Sequence, residues 1–182
     1  MNAIERITLR LPQNLMKILK KESYERTLPI NALITRILHK NLIQEAKFNA
    51  LPIISIPPQM FDKIIDKLDI ATIEDLSKSG SKIAKKYFAL VNQGYTTENI
   101  VSEYFTMLAK HYGWFVYHFD KTDRKYRLVF DTYLGPKWAK FVFNYVKTIL
   151  ISAKIQIEQE SVDDNVIIFM FTDYALKSQL AQ

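Results

Sequence analysis

Polar and apolar positions alternate at the start of the chain. Arg6, Thr8 and Arg10 are polar, and Ile7, Leu9 and Leu11 between them are apolar. Period two predicts a strand with an apolar face and a polar face. Pro12 ends it, because proline cannot donate to a ladder. The period then changes. From Gln13 to about Arg26, Leu15, Ile18 and Leu19 recur at helical spacing, with Lys17, Lys20, Lys21 and Glu25 on the wet side. Thr27-Leu28-Pro29-Ile30 interrupts this pattern. Pro29 fits the first turn of a second helix, where its missing N–H costs nothing. From Asn31 the spacing resumes through Leu33, Ile34, Ile37, Leu38, Leu42 and Ile43 to about Ala46. Residues 5–47 therefore predict strand, helix, turn, helix.

Residues 49–58 hold Pro52, Pro57 and Pro58 and read as a semi-extended linker or an edge strand, Ile53-Ile54-Ser55-Ile56. The domains expected are thus 1–48, a linker 49–58, a larger body 59–174 and a polar tail 175–182. In the body, residues 59–69 predict a short helix with Met60, Ile64, Ile65 and Leu68 inward. Thr72 offers an N-cap, with Glu74 and Asp75 favourable in the first turn. Ile73, Leu76, Gly80, Ile83, Tyr87 and Leu90 then form a heptad-like seam. Gly80, in a serine-rich patch, weakens that helix or lets another helix approach closely. Gly94 is a plausible stop. Thr96 or Thr97 caps a further helix with Ile100, Tyr104, Phe105, Leu108 and Tyr112 inward.

The last third is rich in aromatic and β-branched residues. Trp114–Asp120 and Tyr126–Leu134 predict a hairpin around Lys121-Thr122-Asp123-Arg124. Gly135-Pro136 starts a helix with Trp138, Phe141, Val142, Tyr145, Ile149 and Leu150 apolar. Lys154–Glu160 and Val166–Phe171 predict a second hairpin through Val162-Asp163-Asp164-Asn165. The order ββαββ suits an antiparallel sheet with a helix on one face. The fold class expected is α+β.

Charge adds direction to this picture. The 182 residues carry 25 Lys+Arg and 19 Asp+Glu, a net of +6. Residues 1–48 hold nine basic and four acidic residues, which leaves sixteen and fifteen for the rest. The excess is +5 in the first quarter and +1 elsewhere. A basic end on a near-neutral body implies a polyanion partner.

Absences exclude other classes. With no cysteine, disulfides, thiolate zinc sites and cysteine nucleophiles drop out, and a reducing, cytoplasmic setting fits. No apolar run suits a membrane span, and MNAIERITLR lacks the apolar core of a secretory signal. No glycine-rich phosphate loop is present.

A six-residue strand is not stable alone, and no partner strand lies nearby in this segment. The simplest supply is a second copy of the chain. Two copies paired antiparallel make a ribbon with Arg6, Thr8 and Arg10 outward. Such a ribbon fits the major groove of B-DNA, where arginine reads guanine and threonine bonds a base or touches a thymine methyl.

Residues 5–47 thus resemble a ribbon-helix-helix DNA-binding domain of the MetJ/Arc class. The resemblance rests on RITLRLP for the ribbon, QNLMKILKKESYERT for the first helix and LPINALITRILHKNL for the second. It implies base contacts from Arg6, Thr8 and Arg10. It also implies phosphate contacts from backbone N–H groups around Ile30, Asn31 and Ala32, where a helix N-terminus favours an anion. Pro29 departs from the family's usual capping Ser or Thr, so one N–H is missing there.

The body, 59–174, resembles no family we can name. Its aromatic residues suit a core or an oligomer contact, with a pocket for a small-molecule effector as the alternative. His39, His111 and His118 are too few and too scattered for an expected metal site. The acid pairs Glu158/Glu160 and Asp163/Asp164 have no histidine or nucleophile at usable spacing, so neither an enzyme nor a cofactor is expected. Glu158 and Glu160 are expected on one face of a strand.

The function expected is a homodimeric, sequence-specific regulator of transcription on double-stranded DNA, with no membrane association. The alternatives are an antitoxin-type DNA-binding protein whose C-terminal region caps a toxin and a protein-interaction module that binds no DNA.

Overall fold

A computed structural model describes residues 8–39, 42, 54 and 56–174. The chain divides into two compact units, Met1–Asn49 and Ala50–Gln182. The whole is α+β, with helices and one four-stranded antiparallel sheet.

In the first unit, Thr8–Leu11 are neither helix nor strand in the single chain, and Arg6 and Ile7 lie outside the described residues. Helix α1 is Gln13–Glu25 and α2 is Ile30–His39. Pro12 stands at the start of α1, its carbonyl accepting the Met16 N–H at 3.0 Å. The turn between the helices is a Schellman motif. Leu28 N–H returns to Ser23 O at 3.0 Å and Thr27 N–H to Tyr24 O at 3.2 Å, with Thr27 at φ +52°. Pro29 sits just ahead of α2, its carbonyl accepting the Leu33 N–H at 2.9 Å. The later part of the expected second helix lies outside the described residues, Leu42 excepted.

In the second unit, α3 is Pro58–Lys67, with Pro58 in its first turn. Ile65 is buried, and Phe61 meets Trp138 edge-on at 5.0 Å. Met60 and Ile64, expected inward, are exposed, because α3 packs through its Phe61–Ile65 flank.

The expected seam helix is two helices, α4 Ile70–Ser77 and α5 Gly80–Leu90, broken at Lys78-Ser79. Asp69, not Thr72, caps α4 and accepts the Thr72 N–H at 2.7 Å. The buried row is Ile73, Ser77, Gly80, Ala84 and Tyr87, while Leu76, Ile83 and Leu90 are exposed. Small side chains win this row because the long helix of the sheet crosses there. A Cβ on Gly80 would stand 2.9 Å from a Tyr145 ring carbon and 3.0 Å from its carbonyl oxygen.

Helix α6 runs through three consecutive pieces, Thr97–Asn99, a π-helical Ile100–Tyr104 and Phe105–Lys110. Thr96 caps it, accepting the Asn99 N–H at 3.3 Å. The wide turn leaves the Val101 carbonyl available, and Tyr117 donates its hydroxyl proton to it at 3.1 Å.

Strands β1 Val116–Thr122 and β2 Lys125–Asp131 turn at Asp123-Arg124, with Asp123 at φ +55°. Strands β3 Ile157–Asp163 and β4 Val166–Thr172 turn at Asp164-Asn165. Helix α7, Gly135–Ser152, joins the hairpins. The sheet order is β1-β2-β4-β3. Tyr126, Leu128, Phe130, Ile167, Phe169 and Phe171 are buried on one face, and Phe143 of α7 stacks on Phe169 at 5.3 Å. α7 is buried on several sides, because α4 and α5 contact it as well as the sheet.

Candidate nucleic-acid interface

The candidate interface is built on the α1–α2 hairpin of the first unit. Among the described residues of this unit, Leu19 and Leu33 are the buried ones. Leu9 is 51% exposed, Ile18 57% and Leu38 46%, and Leu15 and Ile37 are also exposed. A helix pair with two buried apolar side chains has almost no core, since small units need a further partner to bury enough surface. Most of its apolar face is open in the single chain.

Thr8 and Arg10 are exposed immediately before α1, with Leu9 between them, whereas Arg6 lies outside the described residues. At the start of α2, Asn31 and Ala32 are exposed and Ile30 is half-buried. These first-turn N–H groups have no acceptor within the helix. Thr8 and Arg10 sit on the segment before α1, and the three N–H groups lie at the start of α2.

The basic residues of α1 are not all free to act on a distant anion. Lys21 lies 3.7 Å from Glu25 and Arg26 2.7 Å from Glu22, both one helical turn apart. Lys17, Lys20 and Arg36 are exposed.

Other candidate chemistry lies in the second unit. Among the described residues no group of His, Asp and Glu is arranged to hold a metal ion. His118 stands on β1. Glu160 stands at the register position of Phe169, on the face towards α7, where Lys147 pairs with it, and a register shift between Ile157 and Gln159 falls at Glu158.

One charged cluster had no sequence signal, because its members are far apart in the chain. Glu98 of α6 accepts from Lys121 and from the Tyr126 hydroxyl, the latter at 2.8 Å. The Lys121 and Tyr126 hydrogen bonds hold the Glu98 carboxyl below its ordinary range. All three groups are satisfied by each other, and they pin α6 to the first hairpin.

Tyr87, Phe88, Tyr104, Phe105, Phe130 and Tyr145 are buried in the core. Hollows of about 380 and 420 Å³ lie beside the β3 edge and the end of α7, lined by residues such as Lys147, Ile151, Lys154 and Gln156. No helix among the described residues is long and apolar enough to cross a membrane.

Comparison with known protein families, curated proteins and solved structures found no match.

Proposed function

We propose that the chain is a dimeric, sequence-specific DNA-binding regulator of transcription. Two copies pair residues 6–11 as an antiparallel ribbon, and that ribbon enters the major groove with Arg6, Thr8 and Arg10 towards the bases. The observation that carries this reading is the open apolar face of the α1–α2 hairpin beside exposed Thr8 and Arg10. Leu9, Leu15, Ile18, Ile37 and Leu38 need a cover that one chain does not supply. A second copy covers them and gives the isolated ribbon segment its ladder partner.

The electrostatics agree with this. Residues 1–48 carry nine basic and four acidic residues, so two copies bring about +10 to one place. Backbone N–H groups of Ile30, Asn31 and Ala32 hold phosphates on either side of the ribbon. The second unit adds oligomer contacts or effector sensing. A toxin-capping segment is commonly short and unstructured, whereas residues 58–172 build helices and a sheet around an aromatic core, which favours the regulator reading.

Selection of bound duplexes from a random pool, using the full chain, tests the proposal. The expected result is a short site with two-fold symmetry. Affinity should also fall with salt at a log–log slope of roughly −0.9 per phosphate contacted. Recovery of no preferred sequence would contradict it.

A further inference from the structure

The sheet has a second face, opposite the buried one, and it is open. Met170 is 36% and Val116 50% exposed on it, and Val129 and Ile168 at its centre are half-buried. The strand register orders this face in rows. Val129 and Ile168 are paired across β2 and β4 in the middle row. One row towards the β1–β2 turn, Arg127 lies beside Met170. One row the other way, Asp131 lies beside Val166. On β1 the same rows add Asp120 beside Arg127, His118 beside Val129 and Val116 beside Asp131, so it is the β2–β4 centre of the face that carries Arg127 on one side of Val129 and Ile168 and Asp131 on the other.

We infer that this face stacks on the same face of a second copy. A two-fold axis in the plane between the sheets, perpendicular to the strands, reverses the row order and keeps each strand over its counterpart. Placed over the middle row, it sets Val129 and Ile168 against the partner's Val129 and the partner's Ile168. Met170 then meets the partner's Val166, and Arg127 meets the partner's Asp131. A two-fold contact requires a self-complementary patch, and the two central strands satisfy that in polarity and charge, while on β1 Asp120 meets the partner's Val116.

Packing geometry permits the pairing. Stacked sheets lie about 10 Å apart and cross at about 30°. Rows next to the axis are about 7 Å from it along the strand, so the twist displaces them sideways by only about 3–4 Å. That is shorter than an arginine side chain. Among the described residues Asp131 makes no ion pair, and the Arg127–Asp120 contact is a loose, exposed one at 3.9 Å. Four strands of seven residues span about 19 by 24 Å. That is modest against the ~800 Å² per partner of a standard interface, so association is expected in the micromolar range.

The inference uses only the second unit and does not depend on DNA binding. Sedimentation of the full chain from about 1 to 100 µM tests it. Ile168→Lys should halve the mass reached at high concentration. Arg127→Asp and Asp131→Arg should each weaken association about tenfold or more, by placing like charges together. Arg127→Asp combined with Asp131→Arg should recover most of it, because the pair re-forms with its signs exchanged. Both positions are exposed on the strands, so they decide the matter if Ile168→Lys does not fold. An unchanged mass in all variants, or a combination no better than the weaker single variant, would overturn the stacking. The residual mass reads the ribbon separately. Tetramer falling to dimer means both contacts exist, and dimer falling to monomer means stacking without the ribbon.

Discussion

The hydroxyls of Tyr104 and Tyr145 share a hydrogen bond at 2.7 Å inside the apolar core. Each is the other's partner, so removing one leaves the other buried and unsatisfied. Tyr104→Phe should cost about 1–3 kcal/mol in urea unfolding. Adding Tyr145→Phe should cost clearly less than the sum of the single changes. Additive losses would show that the pair is not coupled. Burial also sets the alkaline behaviour. It pushes the phenols of Tyr87 and Tyr145 up to about 12 and holds Tyr104 higher still. In the unfolded chain they titrate near 10. Their contribution is therefore complete below pH ~10 and is lost as pH rises towards 12. A second residue-scale device is the use of side chains where glycine is usual. Thr27, Asn92 and Lys154 all have positive φ at helix ends, Lys154 at +62°. Lys154 N–H bonds Ile151 O and Ile155 N–H bonds Leu150 O, closing a Schellman motif after α7. Lys154→Gly should be more stable than Lys154→Val by about 1–2 kcal/mol in thermal melts. Equal stabilities would mean that the strain is not there.

The elements follow from periodicity where one face is clearly apolar. The ββαββ order, the two hairpin turns and the start of α7 at Gly135-Pro136 are all legible in the chain. The helix ends are less so. Gly94 looks like the stop for α5, but Asn92 takes the left-handed turn, with Gln93 N–H returning to Phe88 O. β3 starts at Ile157 rather than near Lys154, since that residue is still closing α7. The heptad-like seam through Leu76 and Ile83 is equally misleading. Leu76 and Ile83 continue the heptad spacing, yet the buried row where α4 and α5 meet α7 carries the small Ser77, Gly80 and Ala84 between Ile73 and Tyr87. Spacing cannot reveal how near a partner helix passes. Gly80→Ala measures that distance. Alanine favours a helix by about 1 kcal/mol over glycine, but here its methyl meets the Tyr145 backbone. The net effect expected is a loss of about 1–3 kcal/mol in denaturant unfolding. A gain would mean that α5 can move off α7 at little cost.

At the scale of the whole molecule, the chain combines a basic unit, whose described helices leave much of their apolar face exposed, with a packed sheet-and-helix body. The candidate site was legible only in part. Thr8, Leu9 and Arg10 are all exposed, so the single chain does not separate a polar from an apolar face there, and Asn31 and Ala32 are exposed at the start of α2. The proposed ribbon takes its ladder partner from a second chain, and residues 8–11 of one chain form no strand. The Glu98–Lys121–Tyr126 cluster was hidden because folding alone brings α6 to the hairpin. The central claim is that Arg10 reads DNA from a ribbon made by two chains. Titration of the selected duplex with the full chain and with Arg10→Ala, alongside the sedimenting mass of each, tests it most directly. A loss of about 1–3 kcal/mol, or roughly 5- to 150-fold in affinity, with the mass unchanged, is the result expected. Equal affinity of the two proteins for that duplex would contradict the account.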